Sequence, residues 1–150
     1  MGSSPGFVVP ASVILPRLGL QGHRGARGFF PENTLEGFLA AWDSGLRTFE
    51  LDVGMTRDGV VVVAHDPLLN MDIARGADGR WLDRVGPAIH ALTFAELSRY
   101  DVGRLRPGSD YAALYNRQTP HDGARVPTLA SVLRALPDAH FIVELKTIPT

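Results

Sequence analysis

The hydrophobic and polar positions alternate along the chain between strand-like runs and helix-like spacings, which predicts an α/β fold. A short strand is expected around Leu18 to His23, and a loop over Arg24 to Pro31 follows it. Apolar residues then recur at spacings i, i+3, i+4 and i+7, at Leu35, Phe38, Leu39 and Trp42. This pattern predicts a helix that begins near Asn33 as N-cap, with Glu36 completing a capping box, and that ends at Gly45.

Two strands, at 47–56 and 60–66, are predicted to form a hairpin because the dipeptide Asp-Gly lies between them at 58–59. This dipeptide is typical of a two-residue hairpin turn. If the loop contains only these two residues, counting back along the ladder places Asp52 directly opposite His65. Directly opposed residues share one face of a sheet, so these two side chains are expected to lie together.

The remaining segments continue the α/β pattern after an interruption. Residues 70–125 are polar and rich in Gly, Pro and Asp, which predicts an insertion. Within it, Thr93 and Glu96 have the spacing of a capping box and predict a short helix. Thr128 is expected to be the N-cap of a further helix, and the apolar run Phe141 to Leu145 is expected to be a buried parallel strand.

Composition changes this picture mainly through what it excludes. The 150 residues are 45% hydrophobic with a net charge of −1, which fits one domain with one core. Lys and Arg total 15 against 16 Asp and Glu, so no basic excess would attract nucleic acid. With no cysteine, a metal would be held by carboxylates, imidazoles or water. No run approaches the roughly 18 apolar residues of a membrane span, and no signal peptide is evident, so a cytoplasmic location is expected.

Two carboxylates on the first predicted hairpin strand are candidates for a metal site. Glu50 and Asp52 share a face because side chains alternate along a strand. Such a pair is common on solvated faces, but here apolar residues take the other face and an apolar helix precedes the strand. Buried carboxylates must be paired or bind a cation. With Glu144 as a third oxygen ligand from a later strand, the set suits Mg²⁺ or Ca²⁺.

Two histidines and two cations complete the candidate chemistry. His23 follows the first strand and His65 ends the hairpin return, so both imidazoles could act in one pocket as a general acid and base. A lone histidine in either position is more often structural. Arg24 and Lys146 could neutralise a phosphate, or could be solvated charges or salt-bridge partners. No role is assigned to the remaining histidines, which are His90, His121 and His140.

Short motifs stand along the chain in a fixed order. The first five are His23-Arg24-Gly25, Pro31-Glu32-Asn33-Thr34, Glu50-Leu51-Asp52-Val53, Thr56-Arg57-Asp58-Gly59 and His65-Asp66. Two more follow the insertion, Val126-Pro127-Thr128-Leu129 and Val143-Glu144-Leu145-Lys146. Together they resemble the signature of the glycerophosphodiester phosphodiesterases. The resemblance covers about residues 18 to 150 and leaves 1–17 as an N-terminal extension.

The resemblance implies a TIM-type (β/α) barrel with its site at the C-terminal ends of the strands. This chain would hold about the first three barrel strands plus the 70–125 insertion. A complete barrel of this type takes roughly 250 residues, so a truncated form is expected. An unclosed barrel exposes a sheet edge, which predicts self-association through that edge.

The resemblance also implies a reaction, the hydrolysis of glycerophosphodiesters such as glycerophosphocholine to glycerol 3-phosphate and an alcohol. The glycerol hydroxyl would attack phosphorus, and water would then open the cyclic phosphate. A divalent cation, Mg²⁺ or Ca²⁺, would be bound by Glu50, Asp52 and Glu144. The acid and base would be His23 and His65.

Substrate binding by resemblance falls on two cations and on the insertion. Arg24 would hold the phosphate, and Lys146 would support the phosphate or a ligand carboxylate. The insertion would shape the site for the glycerol end through Tyr111, Tyr115 or Gln118. The expected partner is therefore a small-molecule glycerophosphodiester, with no nucleic acid.

Two alternatives stay open at this point. The first is a related phospholipase D of the toxin type, which has a similar plan of two histidines and acidic ligands but acts on lipids such as sphingomyelin. The segment Pro31 to Thr34 and the length of the insertion favour the phosphodiesterase. The second is a non-catalytic fragment or pairing module that joins a partner through its open edge, and its size in solution would distinguish it.

Overall fold

The computed structural model describes residues 19–146 of the chain. In chain order the elements are β1 (Gln21–His23), α1 (Leu35–Asp43), β2 (Thr48–Met55), β3 (Val61–Val63), a 3₁₀ helix (Ile89–Ala91), α2 (Phe94–Leu97), α3 (Asp110–Leu114), α4 (Leu129–Ala135) and β4 (His140–Leu145). The predicted extension 1–17 lies outside the described residues. Within them, no helix is long and apolar enough to cross a membrane.

β2 is the centre of the four-stranded sheet. β1 pairs with it in parallel, with His23 opposite Glu50. β4 pairs with it in parallel as well, with Asp52 opposite Glu144. β3 pairs in antiparallel fashion near the carboxyl end of β2. The α/β fold and the three parallel strands are confirmed, and the sheet formed by residues 19–146 is open.

The N-terminus of α1 differs from the prediction by one residue. Thr34, not Asn33, is the N-cap, and its Oγ1 accepts a hydrogen bond from the backbone N–H of Gly37 at 3.0 Å. Thr34 has the extended conformation that an N-cap requires. Asn33 has a φ of 52°, in the left-handed region, so the predicted cap and capping box at Asn33 are wrong. Gly45, with a φ of 99°, follows the helix end as predicted.

The register of the hairpin also differs by one residue. Met55 lies opposite Val61, so the loop contains three residues, 57–59, instead of two. The loop is closed by the N–H of Thr56, which donates to the Val60 carbonyl oxygen at 3.0 Å. Gly59 takes the left-handed conformation typical of such three-residue loops.

This shift overturns one predicted contact at the hairpin. Ala64, not His65, lies next to Asp52, and its N–H donates to the Asp52 carbonyl oxygen at 2.9 Å. The predicted opposition of Asp52 and His65 is therefore wrong, because one extra loop residue moves every later side chain to the other face.

Two apolar clusters stabilise the molecule. The first lies between the sheet and the helices α1 and α4 and is formed by Phe38, Ala41, Phe49, Leu51, Val53, Val63, Val132 and Leu136. The second fixes the insertion to β3 and is formed by Val62, Leu69, Ala74, Ile89, Leu97, Val102 and Val126. The insertion thus shares an apolar core with β3, and within the insertion the predicted capping box of Thr93 and Glu96 is confirmed.

β4 has the predicted direction but not the predicted burial. Its residues pair in parallel with β2 along one edge. Ile142 is 55% exposed and Leu145 is 76% exposed. A parallel strand is buried only when strands and helices cover it on all sides, and within residues 19–146 no strand pairs with the second edge of β4. The prediction of a buried strand is therefore wrong for the part of the chain that is described.

Candidate active site

Three carboxylates meet at the carboxyl end of the parallel strands. Glu50 and Asp52 project from β2, and Glu144 lies opposite Asp52 on β4. Each offers one oxygen atom, and these three atoms lie within 4.8 Å of one another. Asp52 is only 1% exposed, whereas Glu144 is largely in contact with solvent. The structure thus brings the three predicted ligands together, which we call the carboxylate cluster.

The buried carboxylate of Asp52 is compensated by groups from three parts of the chain. The Lys146 ammonium lies 3.2 Å from Oδ1, and the Arg24 Nε lies 3.3 Å from Oδ2. The side-chain amide of Asn33 donates to the same Oδ2 at 3.4 Å. Burying a carboxylate is costly unless cations and donors surround it, and these contacts explain how Asp52 can be buried.

Lys146 lies between two members of the carboxylate cluster. It is the one lysine of the sequence, since the other basic side chains, histidines apart, are arginines. Its Nζ is 2.5 Å from Oε1 of Glu144 as well as close to Asp52. The hydrogen bonds that Lys146 donates, first to Glu144 and then to Asp52, raise its pKa above the usual value, despite the opposing effect of desolvation. The ammonium group therefore stays charged at this site.

The donor set fits a hard divalent cation. All three groups of the carboxylate cluster offer oxygen atoms, which are the ligands that Mg²⁺ and Ca²⁺ prefer. Oxygen atoms that share a Ca²⁺ ion lie about 2.3–2.6 Å from it, so they can be up to about 5 Å apart. The separations of 4.8 Å or less in the cluster are compatible with this geometry. Such an ion would take its place among carboxylates that Lys146 and Arg24 already partly neutralise.

His23 and Arg24 reach the carboxylate cluster because β1 lies in register with β2. The Nε2 of His23 is 3.4 Å from Oε2 of Glu50, and its side chain is 52% exposed. The backbone N–H of Arg24 donates to the same Glu50 oxygen at 3.1 Å. The loop folds tightly here, since a Cβ on Gly22 would lie 2.0 Å from the Gly25 carbonyl oxygen. Glycine at position 22 is therefore needed to place His23 beside Glu50.

His65 contacts its neighbour Asp66 and not the carboxylate cluster within residues 19–146. Its Nδ1 is 2.6 Å from Oδ1 of Asp66. The other oxygen of Asp66 accepts a hydrogen bond from the Asn70 side chain at 3.0 Å. His65 shares the wall of a cavity of about 50 Å³ with Glu32 and Asn33. Among the contacts of residues 19–146, none joins the His65 ring to the carboxylate cluster.

Two residues of the Pro-Glu-Asn-Thr motif take part in the site although the sequence alone assigned them no role in it. Asn33 donates to Asp52, as described above. Glu32 is buried, and its Oε1 lies 2.9 Å from Nη1 of Arg24. Burial alone would lower the pKa of Arg24, but the charge and hydrogen bond of Glu32, followed by the charge of Asp52, raise it. The Pro-Glu-Asn-Thr motif could have indicated their part in the site, since it places an acid and an amide next to each other in a loop that enters the site.

The three insertion residues that the resemblance indicated all contact the loop between β1 and α1. The hydroxyl of Tyr111 donates to Oε2 of Glu32. Tyr115 packs edge-on against Tyr111, with ring centroids 5.0 Å apart, and the Arg27 guanidinium lies 4.9 Å from the Tyr115 ring centroid. The side chain of Gln118 donates to the Arg27 carbonyl oxygen at 2.9 Å. The insertion is thus attached to the loop that carries Arg24.

Comparison with known proteins identifies the family of this chain. Residues 23–150 match the family model described as "Glycerophosphoryl diester phosphodiesterase family". The chain therefore belongs to the glycerophosphoryl diester phosphodiesterase family.

Individual relatives show how far the similarity extends. A glycerophosphodiester phosphodiesterase of Caldanaerobacter subterraneus subsp. tengcongensis is 32% identical over 124 residues, which cover 83% of this chain and 42% of the relative. A glycerophosphodiester phosphodiesterase of Bacillus subtilis is 32% identical over 129 residues, which cover 83% of this chain and 39% of the relative. The chain thus spans less than half the length of these curated relatives.

Solved structures confirm the TIM-type barrel architecture. A Silicibacter pomeroyi protein assigned to the glycerophosphoryl diester phosphodiesterases superposes with a TM-score of 0.83 at 38% identity, covering 86% of this chain and 45% of that one. An Oleispira antarctica phosphodiesterase in complex with the product sn-glycerol-3-phosphate superposes with a TM-score of 0.59 at 28% identity, covering 84% and 43%.

Proposed function

We propose that this chain supplies the metal and phosphate side of an active site that hydrolyses glycerophosphodiesters to glycerol 3-phosphate and an alcohol. The observation that carries the proposal is the convergence of Glu50, Asp52 and Glu144 within 4.8 Å, next to His23 and Arg24. The family membership supports the class of reaction. The sn-glycerol-3-phosphate held by the Oleispira antarctica phosphodiesterase supports the small-molecule substrate.

The carboxylate cluster is the proposed site of a divalent cation, Mg²⁺ or Ca²⁺. When bound, the ion supplies Lewis acidity and stabilises negative charge on the phosphoryl oxygens. Arg24 and Lys146 are proposed to bind the substrate phosphate beside it, because both carry positive charge at Asp52. An arginine presents a planar pair of donors that suits a phosphate, and a lysine presents a compact point charge.

His23 and His65 are proposed to carry the two proton transfers. One imidazole accepts the proton of the glycerol hydroxyl as that oxygen bonds to phosphorus. The other donates a proton to the alcohol oxygen as its bond to phosphorus breaks. Water then adds to the cyclic phosphate and opens it to glycerol 3-phosphate. The contact of His65 Nδ1 with Asp66 supports this role, because it orients the ring and leaves Nε2 for the substrate.

The test is glycerol 3-phosphate release from glycerophosphocholine, with Mg²⁺ or Ca²⁺ and with a chelator. Turnover should require the metal and should be lost in Glu50→Ala and in His23→Ala. His140→Ala is the matched control, because His140 is an exposed histidine at the opposite end of β4. Turnover that resists the chelator, or that survives both site variants, would contradict the proposal.

Two predictions about the state of the protein remain. The exposed apolar side chains of β4 support self-association through its free edge. Sedimentation of the chain at increasing concentration would measure it, and a monomer at all concentrations would contradict it. The cytoplasmic location stays a prediction that fractionation of cells would test.

A further inference from the structure

The carboxylate of Glu32 is buried between Arg24 and Tyr111 of the insertion. Glu32 is 7% exposed. Its Oε1 binds Nη1 of Arg24, and its Oε2 accepts the hydroxyl hydrogen of Tyr111. Burial, followed by the charge and hydrogen bond of Glu32, raises the pKa of Tyr111, so the phenol keeps the proton that it donates. Each oxygen of Glu32 thus has its own partner.

Glu32 is the group that orients the guanidinium of Arg24. The Arg24 Nε lies 3.3 Å from Asp52 but has no well-aligned hydrogen bond. The one side-chain hydrogen bond that Arg24 donates within residues 19–146 goes from Nη1 to Glu32. Asp52 therefore attracts Arg24 by charge, whereas Glu32 sets its direction.

Tyr111 reaches Glu32 from a helix with no buried residue. α3, which carries Tyr111, is held by its N-cap Ser109 and by the contacts of its aromatic side chains. The segment after α3 is attached to the loop that carries Arg24 at two further points. The Gln118 side chain donates to the Arg27 carbonyl oxygen, and the N–H of Thr119 donates to the Phe29 carbonyl oxygen. The insertion is thus held firmly enough to place one hydroxyl on Glu32.

We propose that Tyr111 is a positioning residue for Arg24, and that it acts through Glu32 to hold the guanidinium in the direction that binds the substrate phosphate. The proposal rests on the function proposed above, in which Arg24 binds that phosphate. Without the Tyr111 hydroxyl, Oε2 of Glu32 is left buried without its donor, which is costly enough to make the carboxylate turn. The Arg24 guanidinium then turns with it. The insertion thereby adjusts phosphate affinity without contacting the phosphate.

The test compares Tyr111→Phe with Tyr100→Phe in the whole protein. Both variants remove one insertion hydroxyl, but Tyr100 packs against the second apolar cluster. Tyr111→Phe should weaken the calorimetric affinity for sn-glycerol 3-phosphate about tenfold, the size expected for a lost hydrogen bond to a charged group. KM should rise in the same proportion while kcat changes little, and Tyr100→Phe should match the wild type.

A double-mutant cycle tests whether the effect passes through Arg24. In an Arg24→Lys background the guanidinium is absent, so Tyr111→Phe should cause little further loss of affinity. An equal loss in both backgrounds would overturn the proposal, because Tyr111 would then act on the ligand by another route. An unchanged affinity in Tyr111→Phe would overturn it as well.

A measurement without substrate separates this proposal from the proposed function. In ¹⁵N-labelled protein, the Nε–H signal of Arg24 should shift and exchange faster with water in Tyr111→Phe but not in Tyr100→Phe. If the wild type fails to bind sn-glycerol 3-phosphate, the proposed function fails, and a shifted Arg24 signal still supports the link from Tyr111. An unshifted signal overturns that link whatever the activity.

Discussion

Two clusters of charged side chains stabilise different parts of this molecule, and their charges balance differently. In the insertion, Arg75 and Arg104 meet Asp101 and Asp122, so two cations face two anions. We call these four residues the insertion ion-pair cluster. In the carboxylate cluster, three acids are faced by Lys146 and Arg24, and Arg24 is shared with Glu32.

Within residues 19–146, both carboxylates of the insertion ion-pair cluster accept hydrogen bonds from arginines, whereas the Nε of Arg75 is buried without a partner. Arg104 holds Asp122 with two parallel contacts, of 2.8 and 2.6 Å. Asp101 also accepts from the backbone N–H groups of Gly103 and Gly123, at 2.9 Å each. The chain segments are packed so closely that a Cβ on Gly103 would lie 1.8 Å from the His121 carbonyl oxygen. This cluster has the features of a structural clamp that joins two ends of the insertion.

The carboxylate cluster has instead an excess of negative charge around a buried acid. Such an arrangement is retained at a cost, since bringing more anions than cations together in a partly buried site opposes folding. The comparison indicates that the balance of charges, more than the number of charged residues, distinguishes a structural ion-pair cluster from a site that can bind a cation. Three predictions test the distinction.

The largest effect is expected from removing the most buried charge of the carboxylate cluster. Asp52→Asn keeps the shape of the side chain but removes its negative charge. Loss of even a residue that only supports a metal ligand typically costs about 10–100-fold in metal affinity. The affinity of Asp52→Asn for Ca²⁺ or Mg²⁺ should therefore fall by at least about a hundredfold. Calorimetric titration measures the metal affinity. The control is Asp122→Asn, which should bind the ion as tightly as the wild type does. Equal affinities of all three proteins would contradict the distinction.

A smaller effect is expected from removing the internal cation. In the metal-free protein, Lys146→Met leaves Asp52 buried with one partner fewer, which should lower the free energy of unfolding by about 1–3 kcal/mol. Ca²⁺ should reduce the deficit, because the ion supplies positive charge at the same carboxylates. Thermal unfolding with chelator and with Ca²⁺ measures both values. Arg134→Met on α4 is the control for the loss of a surface cation, and a metal-independent deficit would argue against a shared site.

The smallest effect is expected when the pH is lowered and the insertion ion-pair cluster loses charge, which should reduce the stability that Asp122 contributes. Hydrogen bonds first from Arg104 and then from Arg75 lower the pKa of Asp122 despite desolvation. Since the folded pKa lies below the unfolded value of about 3.9, ionised Asp122 stabilises the fold above that pH and loses its effect as pH falls through the folded pKa. The Tm advantage of the wild type over Asp122→Asn should therefore be present at neutral pH and narrow below about pH 4. An advantage that stays constant into acid would show that Asp122 does not act through its charge.

Three features that depend on a few neighbouring residues were predicted correctly from the sequence, although the cap of α1 was missed by one residue. Thr128 caps α4 and Thr93 caps α2, as their spacings indicated. Gly45 lies just past the end of α1 in the left-handed conformation. In each case a side chain or a glycine satisfies backbone groups within the same turn, so the local sequence contains the whole interaction.

The hairpin register was missed because its loop depends on a distant segment. The carboxylate of Asp58 accepts from the Thr56 hydroxyl at 2.6 Å and from the backbone N–H of Phe94 at 2.9 Å. The second contact joins residues 36 positions apart. The three-residue loop is therefore stabilised partly by the insertion, and a pattern of strand residues around Asp-Gly does not show which loop length is used.

The sequence by itself determined the family, the α/β order of elements and the identity of the side chains that meet at the strand ends. Those follow from motifs and from the alternation of side chains along strands, which are properties of short segments. Only the tertiary structure decided that Asn33 and Glu32 enter the site, that Lys146 lies between two carboxylates, and that Tyr111 reaches Arg24 through Glu32. These contacts join residues far apart in sequence, and their distances are set by strand register and by the packing of the insertion on the sheet, which no local pattern specifies.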